Sequence, residues 1–162
     1  MKKIKTILLP LLAILISATG NAQEKTTASE KEAVVLTLKK YKDALQNLTT
    51  ENTFDLFTDD SAVFEQGGVE GTYKHYIAHH LGPELGHFEK FDFSDYSVEA
   101  EVSLPYAFTT ETYIYTIVLK PKDGKEARRI NKKGVATSVL KKIDGDWKII
   151  KTHSSSRDIK NK

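Results

Sequence analysis

The 162-residue chain contains no cysteine. That absence excludes disulfides, thiol catalysis, Cys-ligated zinc, iron–sulfur clusters and a lipoprotein cysteine anchor. Long apolar runs are also missing. The longest, Ile7 to Ile16, is interrupted by Pro10 and has about half of the ~20 residues needed to span a bilayer. There are no internal repeats, no low-complexity segments and no Gly-x-Ser-x-Gly nucleophile elbow. Neither sign of charge dominates, with 24 Lys plus Arg against 22 Asp plus Glu. The basic surplus of a nucleic-acid binder is therefore absent. The Lys-rich stretches 120–125 and 128–133 flank turn signals and read as solvated hairpin tips. What is present, 40% hydrophobic and 28% charged residues, fits one soluble globular domain. A chain of this size buries about 68–70% of its unfolded surface and needs no staples.

The N-terminus has the three parts of a secretory signal. A charged Met1-Lys2-Lys3-Ile4-Lys5 precedes the apolar run, and Ser17 to Ala22 supplies small residues, with Gly20 and Ala22 at −3 and −1. Residues 1–22 are expected to be cleaved, leaving a bacterial protein of the periplasm or medium with no stable membrane anchor. Removing Lys2, Lys3 and Lys5 from the 24 basic residues leaves 21 against 22 acids, a net charge of −1. Asn47-Leu48-Thr49 matches the glycosylation triplet, which in bacterial export reads as chance.

Residues 23–28 form a polar linker, 29–158 the domain and 159–162 a polar tail. Ser29 to Glu32 has the capping-box pattern. Val34, Leu38, Tyr41, Leu45 and Leu48 follow as one helical stripe. Thr50–Thr58 predicts a second, short helix, ended by Asp59-Asp60. Ser61–Gln66 reads as a strand turning at Gly67-Gly68 into a short return strand. Thr72–Leu81 predicts a third helix, closed by Gly82-Pro83. Period-two alternation then begins. Phe91 and Phe93 share one parity, whereas Tyr96, Val98, Ala100 and Val102 take the other, so a bulge is expected at Ser94-Asp95. Ala107–Lys120, Lys133–Lys142 and Trp147–Ser155 are further strands, with turns at Asp123-Gly124 and Asp144-Gly145-Asp146. Three helices segregated from a run of antiparallel strands predict an α+β fold. A curved sheet with helices on one face encloses a pocket.

This layout resembles the nuclear-transport-factor-2-like superfamily, the cystatin-like or SnoaL/ketosteroid-isomerase-like fold. Three segments carry the resemblance: the helix leading into Phe54–Phe64, Gly71-Thr72-Tyr73 opening a helix, and the ending Gly134–Ser155. The ending is most similar to an exported bacterial subgroup, the 4440-type domain of unknown function. The resemblance implies a cone-shaped pocket, often a dimer, and functions ranging from isomerisation, cyclisation, dehydration and hydrolysis to binding alone. The steroid-isomerase members use a Tyr and Asp pair at the pocket base, which the three matching segments do not assign to residues of this chain.

Four of the five histidines fall between 75 and 87. His80 shares a helix face with Tyr73, Tyr76, Ile77 and Leu81, so it is either a hydrogen-bonded core residue or a pocket acid/base. His75 and His79, an i, i+4 pair on the opposite face, suit either one metal ion or a solvated surface. His153 lies on a strand whose two parities both hold apolar residues, and its direction stays open. Glu65 and Glu111 are acids within β-forming runs. They face solvent, or they serve as bases if buried. His80, His153, Glu111 and Glu65 are the candidate catalytic groups. Tyr76, Tyr113, Tyr115, Phe64 and Trp147 are candidate ligand contacts, with Trp147 also a natural core anchor. No pattern calls for a cofactor. The expectation is an exported protein that binds a small, partly apolar molecule, with acid/base chemistry of isomerase, cyclase or hydrolase type, and that forms a homodimer. The alternatives are a non-catalytic binding or dimerisation module and a periplasmic metal binder using the 75–87 cluster.

Overall fold

The computed structural model describes residues 8–122, 124 and 126–159, with side chains from Thr27 onward. The charged start of the expected signal, Asp123 of the expected turn and the last three residues lie outside the described residues.

One long helix, α1 (Leu8–Gln46), opens the fold. It runs through the expected cleavage site, linker and capping box without a break, so Ser29 is not its start. Among the described residues no helix is long and apolar enough to cross a membrane. The predicted stripe is the buried one: Val34, Leu38 and Leu45 are buried, and Tyr41 and Leu48 pack against them. Glu30, next to Ser29, bonds across to the sheet. It accepts hydrogen bonds from Lys142 Nζ and, at 2.9 Å, from Trp147 Nε1. That clasp ties α1 to the last hairpin and holds the Glu30 carboxyl below its ordinary range.

The short helix expected over 50–58 is not formed. A single 3₁₀ turn (Phe54–Leu56) leads directly into strand β1 (Phe57–Glu65). Phe54 and Phe57 are three apart but part company. Phe54 is half exposed, whereas Phe57 is buried, pairs with Ile149 and stacks on Tyr73 with centroids 3.6 Å apart. Tertiary packing of one aromatic outweighs a weak local helix preference. Strand β2 (Gly68–Gly71) returns along β1 as expected.

The second helix is α2 (Tyr73–Tyr76), a π-helical turn (Ile77–Leu81) and α3 (Gly82–Leu85) in unbroken succession. Gly82-Pro83 therefore does not stop it. Gly82 N–H bonds to Ile77 O, closing the π turn, and a Cβ at Gly82 would sit 2.4 Å from that carbonyl oxygen. Pro83 falls at the start of α3, directly after the wider π turn. Among the described residues the helices thus number two, not three.

Strands β3 (Phe88–Ser103), β4 (Tyr106–Leu119), β5 (Arg129–Ile143) and β6 (Asp146–Asp158) form an antiparallel meander. The six-stranded order is β2-β1-β6-β5-β4-β3. The sheet is mixed rather than wholly antiparallel, because β6 returns beside β1 in the same direction. The expected bulge is present: the β3–β4 register slips between Ser94 and Ser97, with Asp95 at φ +49°. A second slip lies between Val139 and Leu140, where β6 skips Ile150.

Gly134 matters to the inner face. It stands opposite Tyr113, and an added Cβ would lie 2.2 Å from the Tyr113 ring. Gly134→Ala is expected to cost about 1–3 kcal/mol in urea unfolding, as overpacking does. That penalty should disappear in a Tyr113→Ala background; an equal penalty there would show that the ring is not what crowds the site.

Candidate functional site

The concave face of the sheet, α1 and the second helix enclose a cavity of about 540 Å³. Its walls are apolar: Leu38 and Leu45 from α1, Phe88, Phe91 and Phe93 from β3, and Ile117 and Leu119 from β4. Apolar walls with few convergent polar groups are typical of small-molecule sites. Three polar groupings break this lining.

The first centres on His80. Nδ1 donates to Glu70 Oε2 at 2.9 Å, and Nε2 lies 3.5 Å from Glu84 Oε1. The Glu70 hydrogen bond raises the imidazole pKa above its ordinary 6.5, with Glu84 and Glu65 adding to it. The Glu84 carboxyl is itself raised, mainly by burial. The second grouping adjoins it. Tyr76, whose ring centroid lies 5.2 Å from that of His80, donates its hydroxyl to Glu65 Oε2 at 2.5 Å. Burial first, with nearby Tyr41 and Glu65, drives the Tyr76 phenol far up, so it stays a neutral donor. Beyond Glu65, Gln66 Nε2 donates to Ser156 Oγ at 2.7 Å, and Tyr115 Oη lies 2.9 Å from the same oxygen.

The third grouping is a buried ion pair. Lys42 Nζ sits 3.5 Å from Glu111 Oε1, with side chains 9% and 3% exposed. The ammonium faces the rings of Tyr113, Phe93 and Tyr41, 4.6 Å, 5.2 Å and 5.5 Å from their centroids. Tyr96 donates to Glu111 Oε1 at 2.6 Å; burial, then Glu111, raises that phenol.

The structure brings six of the sequence candidates to this cavity: His80, Glu65, Glu111, Tyr76, Tyr113 and Tyr115. Three others do not reach it. His153 lines a shallow groove on the outer face of the sheet together with Phe64, its partner across the β1–β6 pair. The β6 slip at Ile150 explains this. Trp147 and Ile149 point inward before it, and Thr152 and Ser154 point inward after it, so Lys151 and His153 turn outward. Trp147 is buried against the Glu30 clasp and does not line the cavity. Direct partnership of His80 and His153 is therefore ruled out by geometry.

Exposed His75 and His79 lie with ring centroids 4.4 Å apart, and His75 Nδ1 donates to the Glu70 carbonyl at 3.0 Å. Among the described residues no group of three or more His, Asp or Glu side chains is placed to hold a metal. Sequence reasoning missed Lys42, Tyr96 and the Glu70 contact. Lys42 had left a signal: it stands four residues after Leu38 and three before Leu45, inside the apolar stripe.

Residues 34–158 match the family model of the SnoaL-like domain. The chain belongs to that family. No curated protein sequence matches it. Solved structures support the same fold for this SnoaL-like domain. A nuclear-transport-factor-2-like superfamily protein from Salmonella enterica serovar Typhimurium superposes with TM-score 0.69 at 18% identity, covering 83% of this chain and 96% of that one. A candidate scytalone dehydratase from Novosphingobium aromaticivorans gives 0.66 at 18%, covering 86% and 93%. A candidate ketosteroid isomerase from Shewanella frigidimarina gives 0.59 at 21%, covering 76% and 94%. The cavity of this SnoaL-like domain thus sits in a fold shared with a candidate dehydratase and a candidate isomerase.

Because the folded state raises the His80 pKa, its contribution to stability is fully present below 6.5 and fades as pH rises through the higher folded value. The difference in melting temperature between the parent chain and Glu70→Gln should accordingly shrink from pH 6 to pH 9. A difference that stays constant across this range would mean that the Glu70–His80 contact does not carry the shift.

Proposed function

We propose that this SnoaL-like domain is an exported protein that binds a small, partly apolar molecule in its central cavity and acts on it by acid/base chemistry of isomerase, cyclase or hydrolase type. The observation that carries the reading is His80. It is a titratable group fixed by Glu70 through Nδ1, at the wall of a largely apolar cavity and beside the Tyr76–Glu65 pair. A carboxylate that accepts from Nδ1 sets the tautomer and puts the exchangeable proton at Nε2, where Glu84 Oε1 lies 3.5 Å away and a ligand can take its place. Tyr76 supplies a neutral hydroxyl and Glu65 a carboxylate near the same wall. Export rests on the three-part N-terminal signal.

The non-catalytic alternative, a binding or dimerisation module, draws on a different observation. The outer face exposes Phe108 and Val135, 51% and 40% accessible, a surface on which a homodimer would be built.

2-Naphthol, a two-ring molecule with one ionisable hydroxyl, serves as the probe for the cavity. His80→Ala is expected to weaken its binding about tenfold by calorimetry, the size of one lost hydrogen bond to a charged group. An unchanged affinity in a folded His80→Ala protein, with unchanged turnover on any substrate found, would overturn the reading.

A further inference from the structure

Lys42 is the one lysine buried among the described residues. Its ammonium lines the cavity, faces three aromatic rings and has a carboxylate at 3.5 Å. The acid/base reading above makes no use of it. Stability is a weak reason for such a pair, since desolvating both ions offsets most of their attraction and an apolar pair of similar volume often does as well. The surroundings instead offer what a nucleophilic amine needs: largely apolar walls and a neighbouring carboxylate to take a proton.

We propose that Lys42 is a carbonyl-reactive amine that forms an iminium with an apolar aldehyde or ketone admitted to the cavity. Glu111 first takes one proton from the ammonium. The freed nitrogen lone pair attacks the carbonyl carbon, the C–N bond forms, and the C=O π pair moves onto oxygen. A second nitrogen-bound proton passes to that oxygen, giving a neutral carbinolamine. Glu111 then returns its proton to the hydroxyl, which leaves as water while the nitrogen lone pair closes the C=N bond. Overall, ammonium plus carbonyl becomes iminium plus water, with no change of oxidation state. Tyr96, donating to Glu111 Oε1 at 2.6 Å, holds that carboxylate in place. The apolar walls set the ligand class: Phe91, Phe93 and Tyr113 favour an aromatic or long aliphatic carbonyl compound over a sugar.

Reductive trapping tests this. The full chain is incubated with 6-methoxy-2-naphthaldehyde and cyanoborohydride, which delivers hydride to the iminium carbon, and labelled peptides are mapped by mass spectrometry. Lys42 should be labelled about tenfold faster than any exposed lysine, excess 2-naphthol should slow that label alone, and Lys42→Arg should remove it. Labelling of Lys42 at or below the rate of the exposed lysines, in protein whose cavity binds 2-naphthol, would overturn the proposal. Trapping requires no turnover, so its failure is read separately from any failure of His80 as acid or base.

Discussion

A pleated strand sends successive side chains to opposite faces of its sheet, so one inserted residue exchanges the two sets. The cavity of this SnoaL-like domain depends on two such slips. The β3 slip at Ser94–Ser97 lets Phe91 and Phe93 face inward from one half of the strand and Val98, Ala100 and Val102 from the other. The β6 slip at Ile150 turns Thr152 and Ser154 toward the cavity and His153 away from it. Gly134 then makes room for the Tyr113 ring on the inner wall. The lining thus follows from backbone register before any side chain is considered.

Within that lining the charged groups are distributed by partner. Buried charges are costly unless paired, and each one here has a fixed companion. Lys42 has Glu111, Glu65 accepts from Tyr76, and His80 lies between Glu70 and Glu84. Preorganised partners of this kind keep titratable groups at set positions against low-dielectric walls, where their electrostatic effect on a ligand is larger than in solvent. The two ends differ in character. The His80 end is partly open and its imidazole side chain is 33% exposed. The Lys42 end is closed by aromatic rings.

Much of this was legible in the sequence. The apolar stripe of α1, the Ser94-Asp95 bulge, the hairpin at Gly67-Gly68 and the meander all had periodic or turn signals strong enough to read locally. The 3.6-residue spacing placed His80 on the cavity side of the second helix, but not at its buried centre, because the π turn at Ile77–Leu81 leaves its imidazole a third exposed. What was not legible came from longer range. The 3₁₀ turn replaced the expected helix because Phe57 found Tyr73 and Ile149, residues distant in sequence. The parallel β1–β6 pair has no local signature. The direction of His153 hinged on a bulge with no turn residue to mark it, in a strand apolar on both parities. Phe64 followed the same logic, since its parity against Val63 and Glu65 fixes it to the outer face once β1 has joined β6.

The central claim is that the concave cavity, and not the outer groove, receives the ligand. Chemical-shift mapping with 2-naphthol tests it directly on the full chain. The account predicts that the perturbed resonances belong to inward-facing residues such as Leu38, Phe93, Tyr113 and Ser154. Perturbations confined to Phe64, Phe108, Thr137 and His153 on the opposite face would contradict it.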